Sequence, residues 1–369
     1  MGAQHLDALL AELVRLGGSD LHLRAGSPPW ARVDGLLDVL PDHATLRAED
    51  TDAILRGVLR RDLVDRFTAG IEVDFGYDSP GGGRFRVNAY RQRGTTALVL
   101  RQVVGRPATI EELGLPEVVR RFADEQRGLV LVAGPTGSGK TTTVAAMVDH
   151  VNRTRRAHVV TIEDPVEVLH TSELATISQR EIGSDTPSFA AAVRSALRQD
   201  PDVVVVGEMR DRETVLAALV AAETGHLVLS TLHTTDATET INRIIELFPA
   251  EEQRQARLVL AGVLRGTVCQ RLVRTADESG RVAAIEVLVV NGRVQEWILS
   301  PKGRDDVQDI LAAGDYYGMQ SFDQALLALC ESGTIDARTA LATASKPADL
   351  RIALERLHGA PPKRSAALS

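Results

Sequence analysis

The chain has 369 residues, 44% of them hydrophobic and 25% charged, which fits globular folding with core enough for two or three domains. Its 42 basic and 50 acidic side chains leave a net charge of −8, which argues against a sequence-independent nucleic-acid binder. No apolar run approaches the ~20 residues of a membrane span.

The opening MGAQHLDALLAELVRLGGSD mixes acids among its leucines and lacks the unbroken apolar core of a signal peptide, so a cytoplasmic location is expected. Leu6, Leu9, Leu10, Leu13 and Leu16 recur at helical spacing, and Gly17-Gly18 stops that helix. DLHLRA, WARVDG, VDFGYD, RFRVNAY and TALVLRQV then read as short strands between Gly, Pro and Asp clusters. Residues 1–104 are thus predicted to form a small α+β domain with a largely antiparallel sheet. GRPATIEELGLP, 105–116, has the Pro and Gly of a linker, with Ile110 and Leu113 available to dock it. GLVLVAG, HVVTIED, VVVVGE and HLVLSTLH alternate with helical stretches, the rhythm of a parallel sheet covered on both faces, within a domain spanning 117–358. From about 255 the chain reads as mostly helical, and 359–369 as a disordered tail. Cys269 and Cys330, far apart and outside any CxxC, are expected as buried thiols, with no zinc site.

GPTGSGKT, Gly134 to Thr141, fits the phosphate-binding pattern G-x-x-x-x-G-K-[ST], with a strand before it and a helix after it. The loop Gly134, Pro135, Thr136, Gly137, Ser138, Gly139, Lys140, Thr141 and Thr142 is expected to cradle phosphates at a positive helix end through its backbone N–H groups, of which Pro135 has none. Lys140 is expected at the β- and γ-phosphates and the Thr141 hydroxyl on Mg²⁺. No guanine-specific motif follows, so ATP is the expected nucleotide. Two strand mouths then carry acids. Glu208 follows VVVV, with Gly207 where many such enzymes have an Asp, and in TIEDPVE Glu163 and Asp164 stand at a strand mouth that Pro165 ends. With Gly207 in that place, Glu208 and Glu163 are expected to share the Mg²⁺ contact and the polarising of water, either of them orienting the water, beside the reading in which one acid only caps a following helix.

Together GPTGSGKTTT, TIEDPVE, RSALRQDPDVVVVGEMRDRET and AAETGHLVLSTLHTTDA, in this order, resemble the PilT-type branch of the type II/IV secretion ATPases, motors that retract type IV pili. SDLHLRAGSPPWARVDG, RFRVNAYRQRG and GMQSFDQALLAL extend the resemblance over nearly the whole chain. It implies an α/β fold, a RecA-like P-loop ATPase domain preceded by a smaller α+β PAS-like domain. It also implies a homohexamer that couples ATP hydrolysis to pilus retraction with an inner-membrane platform protein and the pilus machinery, and no nucleic acid. The family's histidine box falls on His226 and His233. Seven residues apart on a strand, these cannot share a zinc, so each is either a strand-end hydrogen-bonder or, for His233, a sensor of the γ-phosphate. Arg84, Arg86, Arg91 and Arg93 crowd RFRVNAYRQR. Beside a solvated strand face and a nucleic-acid patch, the resemblance favours an arginine finger from Arg84 or Arg86, with Arg101 a further candidate. The absence of a four-cysteine motif and of a long N-terminal region favours retraction. RVQEWILSPKG, about 293–303, matches the retraction branch's C-terminal pattern poorly and leaves open an accessory pilus motor, a pilus-extension or type II secretion ATPase, or a RecA-like DNA translocase.

Overall fold

The computed structural model describes residues 2–81, 83–103, 105–300 and 306–359; the expected tail, from 360 on, lies outside them. The chain parts into two compact units. The first is Met1–Pro107 with two later excursions, Glu163–Thr171 and Gln179–Asp185. The second holds the rest, Ala108–Ile162, Ser172–Ser178 and Thr186–Ser369. The bounds expected from the sequence assign both excursions to the domain spanning 117–358.

In the first unit, helix α1 (Gly2–Arg15) buries Leu6, Leu9, Leu10 and Leu13, the stripe that its spacing predicts. Gly17, at φ +69°, turns the chain where a side chain would be strained. Six antiparallel strands follow: β1 (Gly18–Arg24), β2 (Trp30–Val33), β3 (Leu36–Val39), β4 (Val73–Ser79), β5 (Gly83–Gln92) and β6 (Thr95–Gln102). Their order in the sheet is β3-β2-β1-β6-β5-β4. Helices α2 (Ala48–Val58) and α3 (Val64–Thr68) add Ile54, Leu55 and Phe67 to the core made by α1 and the sheet. Strand β3 went unread because LLDV has no alternation, and all four of its residues are exposed.

The second unit begins with Ile110 and Leu115 buried, and Leu113 packed, against its core. Helix α4 (Glu117–Asp124) leads into β7 (Gly128–Ala133), then α5 (Lys140–Thr154), β8 (His158–Glu163), β9 (Thr176–Glu181), α6 (Phe189–Ala196), β10 (Val203–Val206), α7 (Arg212–Glu223), β11 (Leu227–Leu232), α8 (Ala237–Glu246) and α9 (Gln253–Val263). Every residue of β7, β10 and β11 is buried, which is why β7 and β10 read as unbroken apolar runs; β11 also buries Ser230 and Thr231. The expectation of a helical region from 255 is corrected here. Strands β12 (Leu264–Arg274) and β13 (Arg281–Val289) form a long antiparallel pair before helices resume at α10 (Gly292–Leu299). In β12 the buried polar residues Thr267 and Gln270 break the apolar pattern that would mark a strand. The sheet runs β13-β12-β7-β11-β10-β8-β9, and β12, β7, β11, β10 and β8 run parallel to one another. Parallel pairing gathers the carboxyl ends of these strands at one edge, where ligands bind in such sheets. Cys269 is fully buried in β12, and burial pushes its thiol pKa well up; Cys330 is half-buried. No described helix is long and apolar enough to cross a membrane.

Candidate active site

The phosphate-binding loop joins β7 to α5. Gly137 and Gly139 take φ of +77° and +93°, and Gly134 takes +149°. A Cβ at Gly134 would lie 2.4 Å from Ser138 Oγ and 2.5 Å from the carbonyl of Gln270, so only glycine lets the backbone close there. Helix α5 starts without a side-chain cap, which leaves its first turn available to an anion. Thr141 and Thr142 are exposed on that turn. Ser138 Oγ is buried with no hydrogen-bond partner among the described residues. A glycine cradle, an orphaned hydroxyl and a helix N-terminus fit a phosphate chain. Lys140 is buried and folds back on the loop, its Nζ donating to the carbonyls of Gly134 (2.8 Å) and Pro135 (3.1 Å).

Glu208 is set by the strands beside it. The Gly207 N–H donates to Ile162 O at 2.8 Å, Thr231 Oγ1 donates to Gly207 O at 2.6 Å, and the Met209 N–H donates to Thr231 O at 3.3 Å. These bonds hold both flanks of position 208 to β8 and β11. Its Oε1 meets Arg210 Nε at 2.5 Å and His233 Nε2 at 3.2 Å. His233 Nδ1 lies 3.4 Å from Lys140 Nζ. An ammonium only donates, so Nδ1 accepts and Nε2–H faces the Glu208 carboxylate. The phosphate lysine and the acid after β10 are therefore linked through one imidazole. Beside them opens a cleft of about 1080 Å³, lined by Thr136, Glu208, Arg210, His233 and the α8 side chains Glu239 and Arg243, among others.

His226 is not part of this group. It precedes β11 and bonds Ala221 O at 2.9 Å, whereas His233 follows the strand, roughly 23 Å away at 3.3 Å per residue. The two are separated by strand length, more than by the opposite facing that the sequence suggested. Glu163 ends β8, which pairs with β10 through Ile162 and Val206, so it and Gly207-Glu208 close neighbouring strands. Its Oε1 accepts from Gln179 Nε2 at 3.1 Å. Gln179 and Arg210 escaped the sequence reading. Arg210 lies inside VVVVGEMRD, and its spacing of two from Glu208 was the available signal.

The arginines separate. On β5 the buried Phe85, Val87 and Ala89 leave Arg84 and Arg86 on the opposite face together. The Arg84 guanidinium is paired with Glu181 at 2.5 Å and Asp78 at 2.8 Å. Arg86 is 42% exposed, with its acids, Asp74 and Glu167, at 3.6 and 3.7 Å. Arg91 stacks over Phe67, Arg93 sits in a turn at φ +50°, and Arg101 pairs with Asp20 at 2.7 Å.

Comparison with known proteins places this arrangement. The family model described as type II/IV secretion system protein matches residues 82–320. The chain is 43% identical over 339 residues to the type IV pilus retraction ATPase PilT of Pseudomonas aeruginosa, covering 92% of this chain and 98% of that relative. It is 40% identical over 351 residues to the type IV pilus ATPase PilU of the same organism, covering 95% and 91%. The crystal structure of the pilus retraction motor PilT with bound ADP superposes with a TM-score of 0.85 at 40% identity, over 94% of this chain and 99% of that one. This chain belongs to the type II/IV secretion system protein family.

Proposed function

We propose that this chain is an ATP-hydrolysing motor of the type IV pilus that drives retraction, working as a homohexamer through a platform protein at the cytoplasmic face of the inner membrane. The observation that carries the reading is the Lys140–His233–Glu208 chain at the strand mouths, in a protein that matches a retraction ATPase over 98% of that relative's length. Gly134 to Thr142 bind the phosphates of ATP. Lys140 exchanges its two loop carbonyls for β- and γ-phosphate oxygens. Thr141 and, through water, Glu208 would hold Mg²⁺, which offsets charge on the phosphates. Glu208 and Glu163 orient the attacking water and take up its proton. His233 senses the γ-phosphate, because its Nδ1 loses a donor when Lys140 turns to the nucleotide. Arg86, the half-exposed arginine, supplies positive charge to the phosphate of a neighbouring subunit.

The identity to PilU favours a second reading, a companion pilus ATPase of the same machine. The first test is enzymatic. Lys140→Ala and Glu208→Gln should each lose roughly a hundredfold or more of ATP turnover, with Glu208→Gln still binding ATP and circular dichroism unchanged. Near-wild-type turnover in a folded Lys140→Ala protein would remove the phosphate-loop assignment.

A further inference from the structure

The first unit contains a buried carboxylate that the hydrolysis reading does not use. The Glu181 side chain is 4% exposed. Arg84 Nη2 lies 2.5 Å from it and Arg60 Nη1 3.7 Å, and the N–H groups of Gly76 and Val166 donate to it, each at 3.3 Å. A Cβ at Gly76 would fall 2.5 Å from Arg84 Nη2 and 2.9 Å from Glu181 Oε2, so a glycine makes room for the pair. A guanidinium in this position cannot leave for a phosphate without stranding a buried negative charge, which is strongly unfavourable.

Glu181 ends β9, and Gln179 is two residues before it on the same side of the strand. The Gln179 amide is used at both ends. Nε2 donates to Glu163 Oε1 at 3.1 Å and to Val168 O at 2.8 Å, and Oε1 accepts from the His170 N–H at 2.9 Å. The Ile182 N–H donates to Glu163 O at 2.8 Å. One strand end thus fixes the Glu163 carboxylate, its backbone and the loop after it, and that strand end is anchored by Arg84.

We propose that Arg84 and Gln179 are positioning residues acting within their own chain: Arg84 anchors β9 through Glu181, and Gln179 aims the Glu163 carboxylate. This rests on the reading of Glu163 as part of the hydrolysis machinery. It assigns Arg84 a different task from Arg86, although both stand on one strand face. It also makes the aim of Glu163 depend on the N-terminal unit, to which its flanking segment belongs.

A double-mutant cycle on the full-length protein tests it, with kcat and KM for ATP measured separately. Gln179→Met and Arg84→Ala should each lower kcat on the order of ten- to a hundredfold and leave KM within about twofold, since a misaimed group costs rate rather than binding. Added to Glu163→Gln, neither should lower kcat further, because each acts only through Glu163. Losses that multiply in the double variants, or a rise in KM in place of the fall in kcat, would overturn the proposal. If Arg84→Ala does not fold, Arg84→Lys, which keeps a positive charge beside Glu181 but loses the guanidinium fork, takes its place in the cycle with the same outcomes. A Glu163→Gln protein with wild-type kcat overturns the underlying reading of Glu163, a result distinct from multiplying losses.

Discussion

Glu286 shows how far a single side chain can be displaced from its ordinary chemistry. It is 2% exposed in β13, and its Oε1 accepts from the Ala237 N–H at the start of α8. Burial pushes its pKa up to about 7; the Ala237 bond and Arg271 pull it down, and Asp236 pushes it further up. The unfolded chain ionises near 4.5 while the folded one stays protonated, so this group's contribution to stability is whole below about pH 4.5 and is lost as pH rises towards 7. The loss is about 3 kcal/mol at 1.36 kcal/mol per pH unit. Glu286→Gln keeps the acceptor for Ala237 and removes the titration. It should match the parent near pH 4.5 and melt at a higher temperature at pH 8; a variant no more stable at pH 8 contradicts the assignment. Nothing in AAIEVLV announced this acid. The phosphate residues, by contrast, were legible because their chemistry is local, eight consecutive positions of which the pattern fixes four. Gln179 was hidden because TISQRE is polar and half-exposed, so neither its strand nor its partner Glu163 could be inferred from spacing.

Elements carry the same lesson at a longer range. The strands β7 and β10 were readable because burial on both faces leaves only apolar residues, and β11 because LVL opens it. The pair β12 and β13 was not, since its buried Gln270 and Thr267 answer to partners far away in sequence. Gln270 Nε2 donates to Thr143 Oγ1 in α5 at 2.7 Å, and its carbonyl crowds Gly134. The loop from β7 to α5 is thus shaped partly by a strand over 120 residues later. Two glycine substitutions separate packing from backbone strain. At Gly137 a Cβ meets no protein atom within 4 Å, so Gly137→Ala should cost only about 1–2 kcal/mol of left-handed strain and weaken ATP binding less than Gly134→Ala does. Gly134→Ala places its Cβ against backbone and should abolish binding, read by titration with a non-hydrolysable ATP analogue. Equal affinities in the two variants would show that β12 does not shape the loop.

At the scale of the whole molecule, the order of motifs carried more than any one of them. A phosphate loop alone fits kinases, GTPases and translocases alike. Four motifs in sequence, flanked by an N-terminal antiparallel sheet, narrowed these to one family, which the matches then established. The division into units was less legible. Glu163–Thr171 and Gln179–Asp185 lie far along the chain yet group with its first 107 residues, through charges such as Glu181 that no local pattern pairs with Arg84. The direction of work, retraction or extension, is a property of cells carrying this motor, and one measurement addresses it. Surface pili should be counted and twitching scored in a strain lacking this chain, complemented with the wild type or with Lys140→Ala. A retraction motor predicts excess pili and no twitching, corrected by the wild type and not by Lys140→Ala. Cells without pili would contradict the account and indicate extension, and unchanged pili with normal twitching would place the motor elsewhere.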